Sequence, residues 1–242
     1  MNTSTSTQAA PAYLACEKRH TFFLLMLAAG WLGAFTYNLR GGVFCNAQTA
    51  NFVLMAMALG KGQWAHGAYF LIPIGAYLAG AVLSEALPLR VRRLGLVRWD
   101  TLLVGVEALV VFLLGLLPET APFQISQVAI NFICSMQYNT FRQAEGVPMA
   151  TTFCTNHLRQ TGIHLTKWAR RRERRELVLL LEHLGMIAVF TAGAVGCTVL
   201  CPPLLGKVAW GATLLLAVVF LDLLRADLGA ERGQLSRKPS GH

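Results

Sequence analysis

Two short stretches gather polar side chains inside otherwise apolar sequence. The first holds Asn46, Gln48, Thr49 and Asn51; the second holds Thr152, Thr155, Asn156 and His157. Amides and hydroxyls both donate and accept hydrogen bonds, so either group suits a small polar solute or an ion. Three further features belong with them. Glu107 is a carboxyl in the middle of the apolar run 101–117, where ionisable groups are costly and mark functional sites. Gln124, Gln127, Asn131, Ser135 and Tyr138 recur every three or four residues and so share one helical face. Of these, Gln127 and Asn131 join Glu107 and the two polar groups as candidate solute-binding residues. Such a face lines a cavity or hydrogen-bonds a neighbouring helix. Glu182 and His183 open the run 177–200 and are expected to meet the arginines that precede it.

Enzyme signatures are missing. The sequence has no zinc-protease motif, no phosphate-binding loop and no nucleophile elbow. Its six cysteines form no paired Cys-x-x-Cys motifs, and Cys197 and Cys201 alone are weak metal ligands. No catalytic role, metal or cofactor is expected.

The surroundings of these residues set the class. Of 242 residues 55% are hydrophobic and only 14% charged, against about 25% charged in a soluble domain. The apolar residues come in blocks: 21–37, 68–87, 101–117, 122–141, 177–200 and 208–224. Runs of about this length read as membrane-spanning helices. Two weaker blocks, 42–60 and 146–165, contain the polar groups. The net charge of +9 lies mostly between and beyond the blocks, which is how topology is encoded, so nucleic acid is not an expected partner.

Charge also chooses among topologies. Six spans with a cytoplasmic N-terminus leave only Arg40, Lys61 and Lys207 outside. Eight spans put Arg90, Arg92, Arg93, Arg98 and Arg142 outside with Arg40 and Lys207, and bury Arg159 in the membrane. The positive-inside rule favours six, with eight or seven as the alternative. The two weaker blocks then become broken or re-entrant helices covered by protein.

Those blocks also look alike. Thr49-Ala50-Asn51-Phe52 matches Thr155-Asn156-His157-Leu158, and the next spans share Ala79-Gly80-Ala81-Val82 and Ala192-Gly193-Ala194-Val195. Halves with an odd number of spans have opposite orientations, the plan of many transporters. The expected fold is therefore an all-α polytopic membrane helix bundle of about six spans plus two broken or re-entrant helices, in two inverted repeats. Residues 1–20 are expected to be a disordered cytoplasmic segment. Residues 21–225 form one transmembrane domain, with repeats of about 21–117 and 122–225, and 226–242 form a cytoplasmic tail.

The run from Thr36-Tyr37-Asn38 through Gly41-Gly42-Val43-Phe44-Cys45-Asn46 to Thr49-Ala50-Asn51 resembles the N-terminal signature of the YoaK-like bacterial membrane proteins. Met136-Gln137-Tyr138-Asn139 and Thr151-Thr152-Phe153-Cys154-Thr155 extend the likeness into the second half. The resemblance implies a multi-pass inner-membrane protein and is silent on activity, because the family is one of unknown function. Its members typically carry aspartate where Gly33 stands here, and Thr-Gly where this chain has Thr49-Ala50 and Thr155-Asn156. The expected function is that of a secondary transporter or channel for a small polar solute or ion, with a non-transporting scaffold as the alternative. Expected partners are the bilayer, the solute, anionic lipid headgroups near Arg170–Arg175, and a second copy of the chain. Both termini are placed in the cytoplasm.

Overall fold

Twenty-one residues wind into helix α1, Arg19–Leu39. At 1.5 Å per residue this spans about 32 Å, enough to cross about 30 Å of hydrocarbon. The computed structural model describes residues 13–239; the segment expected to be disordered lies largely outside them. Nine further α-helices follow among the described residues. They are α2 (Gln48–Gly60), α3 (Trp64–Tyr69), α4 (Leu71–Ala86), α5 (Pro88–Leu94), α6 (Trp99–Leu114), α7 (Phe123–Thr140), α8 (Thr155–Arg171), α9 (Arg174–Leu204) and α10 (Ala209–Leu228). Strands β1 (Gln143–Ala144) and β2 (Val147–Pro148) pair antiparallel between α7 and α8. Glu145 and Gly146 both have positive φ, 47° and 80°, which is the backbone a two-residue hairpin turn demands.

The six-span expectation is corrected here, together with its two broken helices and inverted repeats. By length and composition three helical stretches qualify as spans: Arg19–Leu39, Trp64–Arg93 and Arg174–Leu228, the last comprising α9 and α10. Apolar runs in the sequence are not the same as helix lengths. Helix α6 is apolar but has 16 residues, about 24 Å. Helix α7 has 18 residues but is interrupted by Gln124, Gln127, Asn131, Gln137 and Asn139. The two weaker blocks do not correspond either. The first gives a 13-residue apolar helix, α2. The second becomes the β-hairpin, a loop and a 17-residue amphipathic helix, α8, with basic residues in its last turn.

Packing follows small residues. Helix α1 lies against α9, α4 against α7, α6 against α10, and α8 against the start of α9. A Cβ added at Gly30 would sit 2.0 Å from the Phe190 carbonyl oxygen, and one at Gly193 2.1 Å from that of Leu27. These two glycines let the backbones of α1 and α9 touch. In a medium as apolar as the side chains, such close van der Waals contact replaces the hydrophobic drive.

Polar clamps close both ends of the bundle. At one end Glu119 joins Arg40, 3.2 Å away, to the Gly206 amide at 2.6 Å. At the other, Asp227 accepts the Arg98 amide and the Thr101 hydroxyl, while the Arg98 guanidinium lies 3.3 Å from Asp227 and donates to the carbonyls of Gln234 and Arg237. Residues 229–237 thus fold back over the bundle. Glu231 reaches the Ala15 amide at 2.7 Å, so residues near both termini share one end.

Gly30→Leu is expected to destabilise the protein by about 1–3 kcal/mol, the usual cost of overpacking. Gly75→Leu, where an added Cβ meets nothing within 4 Å, is expected to be neutral. Thermal unfolding of both variants in detergent measures the difference.

Candidate functional site

The first polar group becomes a closed network. Gly41 and Gly42, with φ of 82° and 69°, turn the chain out of α1 so that Asn46 faces back onto that helix. Its side chain donates to the Ala29 carbonyl at 3.2 Å and covers Gly33, where an added Cβ would lie 3.2 Å from the Asn46 amide nitrogen. Gln48 donates to Asn131 Oδ1 at 2.6 Å, and Asn51 donates to Gln48 Oε1 at 3.1 Å and to the Phe44 carbonyl at 2.9 Å. Asn131 donates to the Gln127 carbonyl at 2.7 Å; Gln127 donates to the Arg40 carbonyl at 2.6 Å and accepts from the Tyr69 hydroxyl at 2.5 Å. Four sequence-predicted residues, Gln48, Asn51, Gln127 and Asn131, therefore meet in one cluster, and Asn46 binds α1 beside it. They largely satisfy one another and nearby backbone. Thr49 points outward from it.

Glu107 stands apart. It is 1% exposed, and neither carboxyl oxygen has a hydrogen-bond partner among the described residues. A buried carboxyl without partners is costly when ionised. Of the α7 stripe, Gln127, Asn131 and Ser135 are buried, whereas Gln124 and Tyr138 reach the surface at its two ends.

The second polar group divides. Thr152 is fully buried and its hydroxyl has no hydrogen-bond partner among the described residues. Thr155 and Asn156 open α8 at the edge of a cleft of about 570 Å³ between the end of α7, the loop after β2 and the first turn of α8. Arg142 and Arg159 line the same cleft with Tyr138 and Asn139. Arg142 is held by Glu85 at 3.3 Å and by the Asn139 side-chain oxygen at 2.8 Å; Arg159 donates to Asn156 at 3.2 Å. Two guanidiniums, two amides and two hydroxyls can bind a small anionic or polar group.

His157 pins the cleft wall. It is fully buried, its Nε2 lies 2.8 Å from the Ala150 carbonyl, and its Nδ1 lies 2.9 Å from His183 Nδ1. A carbonyl only accepts, so Nε2 carries the hydrogen. Neutral His157 then accepts at Nδ1, and His183 donates. About two turns along α8, His164 Nδ1 meets Glu176 at 2.6 Å and its ring stacks on His183. Glu182 pairs with Arg19, which also holds Glu145 of the hairpin turn at 3.0 Å. The arginine cluster was the expected neighbour of Glu182 and His183; Arg19 and His157 take its place.

Sequence reasoning missed Tyr69, Arg142 and Arg159 as site members. Arg142 offered a signal, being the single basic residue between the apolar run 122–141 and the second polar group. Tyr69 offered none, because it meets its partner only through packing.

The model of a family described as protein of unknown function (DUF1275) matches residues 21–221. The chain belongs to this family. No curated protein and no solved structure matches it. The family stretch runs from the first turn of α1 into α10, so it contains the closed network, Glu107 and the cleft. The Asp227–Glu231 side of the Arg98 clamp lies beyond it. The protein is a membrane-embedded, multi-pass helical member of the family.

Burial of His157 lowers its pKa, partly offset by the Ala150 carbonyl. The unfolded imidazole titrates near about 6.5. Between the lowered value and 6.5 the unfolded chain binds more protons, so stability rises with pH through that window. The docking of α8 on α9 is therefore expected to be firm above pH 6.5 and to weaken as pH falls below it. Hydrogen exchange of α8 amides at pH 7.5 and 5.5 measures this, and His157→Gln is expected to flatten the dependence.

Proposed function

We propose that the protein is a transporter or channel for a small polar solute or ion, and that the cleft between α7 and α8 is where the solute is held. The observation that carries this reading is the cleft itself, about 570 Å³ and lined by Arg142, Arg159, Asn139, Asn156, Thr155 and Tyr138. The guanidinium pair favours a solute with an anionic group. Glu107, buried with no hydrogen-bond partner among the described residues, is the group we assign to ion or proton coupling. The membrane we assign is the bacterial inner membrane, on the likeness to YoaK-like proteins. The end carrying both chain termini is assigned to the cytoplasm, because Arg90, Arg92, Arg93 and the 170–175 cluster gather in the segments leading to it.

The second reading, a non-transporting scaffold, draws on the closed network, in which the polar groups of α2 and α7 are spent on holding helices together. Reconstituted proteoliposomes separate the two. A panel of small anions, polar metabolites and cations is expected to include one species whose uptake exceeds that of empty vesicles. Arg159→Gln is expected to weaken its binding by about tenfold or more, the loss of one charge-assisted hydrogen bond. Glu107→Gln is expected to remove any response to a pH gradient. Failure to move or bind any member of the panel would favour the scaffold.

A further inference from the structure

The outward face of α8 is used by neither the closed network nor the cleft. One stripe of this helix packs on α9 through His157, Thr161, His164 and Trp168, spaced by four, three and four residues. On another side Leu158, Gly162, Leu165 and Ala169 form an exposed row, with Leu158 66% and Leu165 48% exposed. Beyond this row the hairpin tip carries Arg170, Arg171, Arg172, Arg174 and Arg175, all exposed, against a single exposed acid, Glu173. The left-handed backbone of Arg172, φ 54°, makes the tip, and its guanidinium lies 4.9 Å from the Trp168 ring.

Height decides what this face meets. The helices are antiparallel, with His157 level with His183 and His164 level with Glu176. Leu158 is therefore level with Glu182, and Leu165 with Arg175. Along these levels the outward residues of α9 are also apolar: Val178, Leu181 and Leu184 are 38%, 57% and 43% exposed. Helix α9 has 31 residues, about 46 Å, which exceeds about 30 Å of hydrocarbon by roughly ten residues. If the apolar run from Leu177 crosses the hydrocarbon, Val178, Leu181 and Leu184 face the acyl chains, Leu165 stands at the hydrocarbon boundary and the basic tip stands in the headgroup layer.

We propose that the α8–α9 hairpin is a binding surface for anionic phospholipid of the protein's own membrane. Leu158 faces the acyl chains, Leu165 seats at the hydrocarbon boundary, and Arg170, Arg171, Arg174 and Arg175 bind the lipid phosphates. Guanidinium forks match phosphate oxygens, and each basic residue near an anionic surface adds attraction. The occupant is independent of whatever the cleft holds.

The test places an environment-sensitive fluorophore on the thiol of Leu165→Cys in a Cys154→Ser background, the remaining five native cysteines being buried. The labelled protein is reconstituted in nanodiscs containing brominated phosphatidylglycerol or brominated phosphatidylcholine. The expected result is quenching by both lipids, with an apparent affinity for the anionic one several-fold higher. Replacing Arg170, Arg171, Arg174 and Arg175 by glutamine is expected to bring that ratio to about one while quenching persists. Comparing the two lipids on the unsubstituted tip needs no charge variant, so misfolding of that variant leaves the test intact. Equal affinity for the two lipids with the tip intact would overturn the proposal. So would quenching by aqueous iodide with none by either lipid. Disulfide cross-linking of the introduced thiol between copies, without lipid quenching, would assign the face to a second copy instead.

Discussion

Polar groups in this protein must find their partners inside the chain, because the medium around its apolar helices supplies none. Backbone groups meet this demand through helices. Side chains meet it through contacts between elements, and these contacts determine which helices lie together. Gln127 shows the consequence. From α7 it binds the carbonyl at the end of α1 and the hydroxyl of α3, while its own carbonyl receives Asn131, which in turn holds Gln48 of α2. Three helices converge on one turn of α7. The apolar residues facing outward, such as Leu214, Val199 and Leu78, are left to the lipid.

The same demand explains the ends. Arg40 is almost fully buried, a position that charged residues occupy only when paired. Glu119, the Phe35 ring at 5.2 Å and the short loop at Gly206 surround it. Arg98 is equally buried and binds Asp227, Glu231 and two carbonyls of the C-terminal segment. Removing one partner of such a pair leaves an uncompensated charge, so these clamps are more costly to break than surface pairs. They tie chain-distant segments together where no long helix does so.

Function is then a question of where polar groups are not fully spent. The closed network has little capacity left for a solute. The cleft by α7 and α8 differs: polar side chains border an open space there, and its wall is tied to His157 through the Ala150 carbonyl. Glu107 is different again, a buried acid with no partner on either oxygen among the described residues. Three kinds of polar environment therefore coexist among the described residues, one structural, one open and one unsatisfied.

Composition and block structure were enough to read a helical membrane protein with several passes, because long apolar runs with few charges have no stable place in water. The spacing of Gln127 and Asn131 was enough to put them on one face, since helical periodicity is local. The tertiary structure decided that this face closes on Gln48 and Asn51 and leaves no open site there. It decided that residues 146–165 form a hairpin, a loop and an amphipathic helix where a second broken span had been expected. The polar stripe of α8 needed the start of α9 to bury it, and that need is invisible until α9 is in place. It also decided that Arg142 and Arg159 share a cleft with Asn156. Which polar residues satisfy one another depends on residues tens or hundreds of positions apart, and no local pattern encodes that pairing.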